Sequence, residues 1–109
     1  MAQNFRNQIV RNTGTSEVDI LNAVDSFDTV IGIRLANVAT SAISVDVYIV
    51  RSSTNYYLIK SAPIPVGGSL ELIDGGAKVV LQSGDKISAV STAATSLDSV
   101  VSYIDTIST

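Results

Sequence analysis

The side chains in this sequence that come closest to a catalytic pair are Asp25 and Asp28, in the segment AVDSFDT. Two neighbouring carboxylates could act as a general acid and base, or could bind calcium together with Asp74. The alternative is a polar loop between strands, in which aspartate stabilises a turn by accepting hydrogen bonds from nearby backbone N–H groups. We favour the loop.

Histidine and cysteine are both absent from the 109 residues. Their absence removes the usual general base near neutral pH, the thiolate nucleophile and the common zinc ligands. Serines are abundant, but a serine nucleophile needs a neighbouring base, and only Lys60, Lys78, Lys86 or a carboxylate could serve. We therefore predict a protein that is not an enzyme and that uses no cofactor or metal.

The composition predicts one folded domain. Hydrophobic residues make up 46% of the chain and charged residues only 16%, which is the reverse of the balance that disordered chains show. A net charge of −3 argues against nucleic-acid binding, which depends on clustered lysine and arginine. No segment is long and apolar enough to suggest a membrane span or a signal peptide. We expect a soluble protein made in the cytosol, with no nucleic acid or membrane partner.

Apolar and polar residues alternate with a period of two in most of the chain, which predicts β-strands with one buried face. In AISVDVYIVR (42–51) the apolar residues predicted to face the core are Ile43, Val45, Val47 and Ile49. In TVIGIRLAN (29–37) we place Ile31, Ile33 and Leu35 on the inner side and Val30 with Arg34 on the outer side. The short VATSA segment between these strands predicts a hairpin.

Further strands are predicted over 6–12, 16–21, 55–60, 69–73, 77–82, 86–91 and 99–107. Pro63 and Pro65 cannot donate to a ladder, so their segment is predicted to be an edge strand or a crossing loop. Gly84 and Asp85 are predicted to form a hairpin corner. The pattern as a whole predicts an all-β fold: a single antiparallel β-sandwich, or jelly-roll-like domain, of about eight strands over residues 15–109.

The sequence has more apolar residues than the core of one sandwich needs. Tyr48 and Val50 lie on the outer side of their strand, and both sides of the last strand are apolar. Either another part of the chain covers them or they form a subunit interface. Residues 1–14 are predicted to form an N-terminal arm or the first edge strand. The predicted interface set is Phe5, Arg6, Ile9, Arg11, Tyr48, Val50 and Tyr103.

From about residue 15 onward the sequence resembles small β-sandwich virion structural proteins of tailed bacteriophages, in particular the T4-like phages of marine cyanobacteria. A hairpin near the middle of the chain is followed by a P-x-G-x-x-L-x-L step at Pro65–Leu72 and a G-x-x-V-x-L-x-x-G-D-x-I step at Gly76–Ile87. The alternating strand at Ser99–Ile107 completes the resemblance.

This resemblance implies a non-enzymatic virion component, assembled in the host bacterial cytoplasm, with the phage major capsid protein or other virion proteins as partners. A capsid decoration (cement) protein is the favoured role, as a homo-oligomer and preferably a trimer. A tail, neck or fibre-associated protein is the alternative. A third possibility, from another class, is a carbohydrate-binding module that uses Tyr48, Tyr56 or Tyr57 together with Asp25, Asp28 or Asp74.

Overall fold

A computed structural model describes residues 4–24, 28–72 and 79–105, which form nine β-strands in two antiparallel sheets. The strands are β1 (Asn4–Thr13), β2 (Val18–Leu21), β3 (Asp28–Asn37), β4 (Ile43–Arg51), β5 (Thr54–Ile64), β6 (Ser69–Glu71), β7 (Val79–Leu81), β8 (Lys86–Ser91) and β9 (Leu97–Asp105). The predicted all-β sandwich is confirmed. Across these ranges no helix is long and apolar enough to cross a membrane.

The strand order is that of a jelly roll. The first sheet has the order β1-β9-β3-β6, with β7 also paired to β3, and the second sheet has the order β2-β8-β4-β5. β6 pairs with the last residues of β3 and β7 with its first residues, so the two short strands share one position. Counted in this way, each sheet has four strands and the chain moves repeatedly from one sheet to the other, as in a jelly roll.

Two of the predicted hairpins are wrong. β3 and β4 lie in different sheets, and so do β7 and β8, so the VATSA segment and the corner at Gly84 carry the chain across the sandwich. The connection from β4 to β5 is a hairpin, with Arg51 paired to Thr54. Ser52 and Ser53 at its tip both have positive φ, 54° and 63°, as a type I′ turn requires.

The strand pairing brings the two ends of the described chain together. β1 runs antiparallel to β9 along almost its whole length, and Asn4 lies opposite Asp105. Among the described residues β1 is an edge strand, since it pairs there with β9 alone. The segment predicted as an arm or a first edge strand is therefore a strand of the sandwich in this structure.

The core between the sheets is aliphatic. Its largest fully buried side chains are Ile20, Leu21, Val30, Ile33, Leu35, Val45, Val47, Ile64, Leu81, Ile87, Leu97 and Val101. Burying each such side chain contributes about 1.5–3 kcal/mol relative to leaving it in water. Branched aliphatic side chains suit this position because they fill the pleated surface with few accessible rotamers.

A β-bulge in β3 changes which of its residues face the core. Val30 pairs with Tyr103 and Gly32 with Ser102, which leaves Ile31 as an extra residue without a partner in the ladder. Val30 is consequently fully buried, and Ile31 is only partly buried. The predicted outward position of Val30 and the predicted inward position of Ile31 are both wrong, because alternation in the sequence does not reveal where a bulge occurs.

The buried side chain of Asn37 ties together the loops at one end of the sandwich. Its Nδ2 group donates to the carbonyl oxygens of Ser41 (2.9 Å), Ile64 (3.0 Å) and Pro65 (3.2 Å). Its Oδ1 atom accepts a hydrogen bond of 2.8 Å from the N–H of Ala39. One amide thus satisfies the backbone where the chain leaves β3 and where it leaves β5.

Asp85 has the same role at the opposite end. Arg51 donates to its two carboxylate oxygens from Nε (2.8 Å) and Nη2 (2.6 Å), and the N–H of Gln82 donates to Oδ2 at 2.9 Å. Gly84 in this corner has φ = 92°, a conformation that glycine adopts without strain. The side chain of Asp85 is buried. Its hydrogen bonds from Arg51, with that from Gln82, hold its pKa below the usual value of 3.8, although burial opposes them.

We predict that Asn37→Ala lowers the free energy of unfolding by about 2–4 kcal/mol, since each buried polar group left without a partner costs about 1–3 kcal/mol. Asn37→Asp should lower it further, because a carboxylate would face three carbonyl oxygens. Chemical denaturation followed by circular dichroism measures both. Asn22→Ala is the control, with a change within about 0.5 kcal/mol, because Asn22 is exposed. Equal stability of Asn37→Ala and Asn22→Ala would contradict the role of Asn37.

We also predict an acid-dependent loss of stability that originates at Asp85. A carboxyl whose pKa is lowered by folding stabilises the protein above the pKa of the unfolded chain and loses that contribution as the pH falls through the lower, folded value. The stability difference between the unmodified protein and Asp85→Asn should therefore be constant above pH 3.8 and shrink below it. Thermal melts over a pH series measure this difference, and a constant difference throughout the acid range would contradict the prediction.

Candidate interaction surface

The outer face of the first sheet carries an unusual number of apolar side chains. Val101 and Ile33 point into the core, so their neighbours on β9 and β3 point outward. We define the first-sheet outer face by the following residues, which lie side by side on adjacent strands: Phe5, Asn7 and Ile9 of β1, Val100, Ser102 and Ile104 of β9, Ile31, Gly32 and Arg34 of β3, Glu71 of β6 and Val80 of β7. Phe5 is 72% exposed and Ile9 is 67% exposed.

These residues form rows across the strands. Phe5 lies opposite Ile104, and Ile9 lies opposite Val100. The row between them consists of smaller side chains, because Asn7 lies opposite Ser102 and Ser102 opposite Gly32. A shallow depression of about 600 Å³ opens there, lined by Phe5, Arg6, Asn7, Ile31, Ser102 and Tyr103.

The structure brings together three of the predicted interface residues and separates others. Phe5, Arg6 and Tyr103 line the same depression, and Ile9 and Arg11 lie further along β1, both exposed. Tyr48 and Val50 lie on β4, in the second sheet. Contacts through all seven residues would therefore involve both sheets of the sandwich.

Tyr48 is covered by its own chain and is only 4% exposed. The ring of Tyr57 packs against it, with 5.1 Å between the ring centroids and a tilt of 53°. Burial raises the pKa of the Tyr48 hydroxyl well above its usual value, and the nearby Glu17 carboxylate raises it further. Little of Tyr48 remains for a partner to contact, so the expectation that it belongs to an interface receives no support from its position.

Tyr56 and Tyr57 do not form one aromatic platform. They pair with successive residues of β4, Ile49 and Tyr48, and so point to opposite sides of β5. The ammonium group of Lys60 lies 4.4 Å from the centroid of the Tyr57 ring and occupies one of its faces. This arrangement leaves less aromatic surface for stacking on a sugar ring than the sequence suggested.

The acidic residues considered for catalysis or calcium binding give no site within the described ranges. Asp28 is buried at the start of β3, where it pairs with Leu81. Asp25 and Asp74 lie outside the described residues. In the parts of the chain that the structure describes, no three His, Cys, Asp or Glu residues lie close enough to hold a metal ion.

A further motif that could carry chemistry lies at the turn before β8. Ser83 and Lys86 have the S-x-x-K spacing that some acyl-transfer enzymes use for a serine nucleophile and its lysine. Here the Nζ atom of Lys86 lies 3.3 Å from Oδ1 of Asp19 on the neighbouring strand β2. Lys86 is thus engaged in an ion pair across the second sheet, which does not support a role as the base for Ser83.

No protein-family model and no curated protein sequence matches this chain. Solved structures do match its fold. A chain from the acid-stable capsid of the Helicobacter pylori bacteriophage KHP30 has a TM-score of 0.63 at 13% identity, covering 99% of this chain and 90% of that one. A chain from the T13 particle of infectious bursal disease virus has a TM-score of 0.59 at 8% identity. The match covers 94% of this chain but only 31% of the viral one.

A third similar structure comes from Bacillus endospore appendages, which form disulfide-linked pili. It has a TM-score of 0.54 at 14% identity, and the match covers 98% of this chain and 88% of that one. At such low identity these similarities establish the fold. They show that this jelly roll also occurs in viral capsids and in a pilus.

We predict that the same substitution strongly destabilises the protein on the inner face of the first sheet and hardly affects its stability on the outer face. Ile33→Ala should cost about 2–5 kcal/mol of unfolding free energy, because Ile33 is fully buried. Ile9→Ala should change it by less than about 0.5 kcal/mol, because Ile9 is exposed. Urea unfolding at low protein concentration compares the two variants. A large loss in Ile9→Ala would show that β1 packs differently from this description.

Proposed function

We propose that this protein is a non-enzymatic structural component of a phage particle and, more specifically, a capsid decoration (cement) protein that stabilises the shell through subunit contacts. The observation that carries the proposal is the match to the KHP30 capsid chain. Nearly the whole of this chain matches nearly the whole of that one. A domain of this size is therefore compatible with a place in a phage capsid.

The physical character of the molecule supports this role. A cement protein has to be rigid, and the corners that carry the chain between the sheets are held by buried polar side chains, Asn37 and Asp85. It also has to offer contact surface, and the first-sheet outer face exposes large apolar side chains such as Phe5, Ile9 and Val80. Exposed apolar patches on a folded domain commonly mark protein interfaces.

The partners we propose are the major capsid protein or other virion proteins. The contacts with them are expected to involve Phe5, Arg6, Ile9, Arg11 and Tyr103. Arg6 and Arg11 give the exposed edge strand β1 two positive charges on a chain whose net charge is −3, so this edge is suited to an acidic surface. The absence of cysteine is compatible with assembly in a reducing bacterial cytoplasm.

A tail, neck or fibre-associated role is the second candidate. It is supported by the similarity to the endospore appendage structure, in which a sandwich of this kind belongs to a pilus. The same surfaces would then contact neighbours along a tail or fibre instead of across a shell. Copy number distinguishes the two roles, because a shell has many equivalent positions and a tail or neck has few.

The test is quantitative mass spectrometry of purified particles of the phage that encodes this sequence, with the major capsid protein as the internal reference. A decoration protein should be present at parity with the capsid protein or at a simple fraction of it. A far lower ratio would support the tail or neck role. Absence of the protein from purified particles would overturn both forms of the proposal.

Point variants test the surface. Particles that lack the protein are incubated with the purified chain, and the bound fraction is measured after sedimentation. Phe5→Asp should reduce binding about tenfold or more if this face contacts the shell. Val66→Asp is the matched control, because Val66 is similarly exposed, at 57%, but lies in the loop after β5. Unchanged binding of Phe5→Asp would remove the first-sheet outer face from the proposed contacts.

A further inference from the structure

We propose that the first-sheet outer face binds a second copy of the same face, so that two chains pack sheet against sheet with twofold symmetry. This inference concerns the isolated protein. A dimer formed in this way competes with the shell contact proposed above, because both use Phe5. It differs from the trimer expected from the sequence. Its basis is the shape, charge and size of this face.

The shape is self-complementary. Phe5 projects from the face, and the depression that it lines together with Asn7, Ile31 and Ser102 lies directly beside it. Gly32 pairs with Ser102 on the neighbouring strand. A Cβ atom at Gly32 would meet only Oε2 of Glu71, at 3.7 Å, so the space above this residue is open to a partner side chain. The Phe5 ring of one copy can occupy the depression of the other, and the reverse contact follows from the symmetry.

The position of the projection beside the depression favours a twofold arrangement. When both lie in one patch, two copies exchange the same contact reciprocally, which is the definition of an isologous interface. A closed ring of three requires the projecting part and the receiving part to lie in two different patches. The geometry of the first-sheet outer face therefore points to a dimer as the unit of self-association.

The charges on and around this face allow the same face of a second chain to bind. Arg34 forms an ion pair with Glu71 at 3.2 Å, and Asp98 accepts a hydrogen bond of 2.9 Å from the N–H of Asn12. With Arg6 at the depression and Arg11 at the edge, the face and its rim carry three positive and two negative charges among the described residues. The face therefore has charges of both signs, whereas a face with charges of one sign would disfavour its own copy.

The size is also sufficient. The two longest dimensions of the molecule are 46 and 28 Å. A standard protein interface covers about 800 Å² on each partner, and a face of these dimensions can supply that area.

Sedimentation velocity of the purified full chain over a wide concentration range tests the proposal. We expect a reversible equilibrium between monomer and dimer. Phe5→Asp should raise the dissociation constant about tenfold or more by removing the projecting ring. Gly32→Val should raise it comparably by adding a branched side chain beside Ser102, which lines the depression. Its melting temperature should not fall, because the added Cβ has ordinary contact distance, 3.7 Å, to Oε2 of Glu71. Val66→Asp should leave the equilibrium unchanged.

Three outcomes would overturn the proposal: a chain that remains monomeric at every concentration, a dimer that forms equally well in Phe5→Asp and Gly32→Val, or a trimer as the associated species. Thermal melts of each variant separate loss of association from loss of folding. None of these outcomes bears on the copy number in particles, so failure of the dimer and failure of the virion role are distinguishable.

Discussion

The repeated crossing of the chain between two sheets is the constraint on which the rest of this structure depends. Each crossing takes backbone N–H and C=O groups out of the ladders at an end of the sandwich, and those groups need other partners. Asn37 supplies them at one end and Asp85 at the other. The aliphatic core has no directional bonds, so these two polar side chains contribute to fixing how the corners fold.

Much of the fold could be predicted from the sequence, because alternation with a period of two reports directly on strands that are buried on one face. The strand predicted over 86–91 has the bounds of β8, and the one predicted over 42–51 differs from β4 by one residue. The partner of each strand could not be predicted in this way. The alternation of apolar and polar residues is the same whether two consecutive strands pair in one sheet or lie in opposite sheets. For this reason the VATSA segment was predicted to form a hairpin.

The candidate surface was predictable in part, for a related reason. The apolar residues on both sides of the last strand indicated that something must cover its outer side, and Phe5 was identified with it. The predicted outward position of Tyr103 is wrong, because its side chain packs against the core. The depression beside Phe5 could not be inferred, since it depends on Asn7 lying opposite Ser102 and on the bulge that turns Ile31 outward. The burial of Tyr48 also depends on bulges in the pairing of β4 with β5. One of these bulges includes Ser61, which has a φ of 56° and donates its N–H to the carboxylate of Asp46.

The pairing of Asn4 with Asp105 has a consequence for the way this domain could be joined to other sequences. Polypeptides attached at Asn4 and Asp105 would leave the sandwich side by side, at the same end of adjacent strands. A short linker could join the ends, and new termini could be opened at the exposed hairpin tip of Ser52 and Ser53, since surface turns commonly tolerate circular permutation. The domain is therefore suited to insertion as a unit into a loop of a host protein.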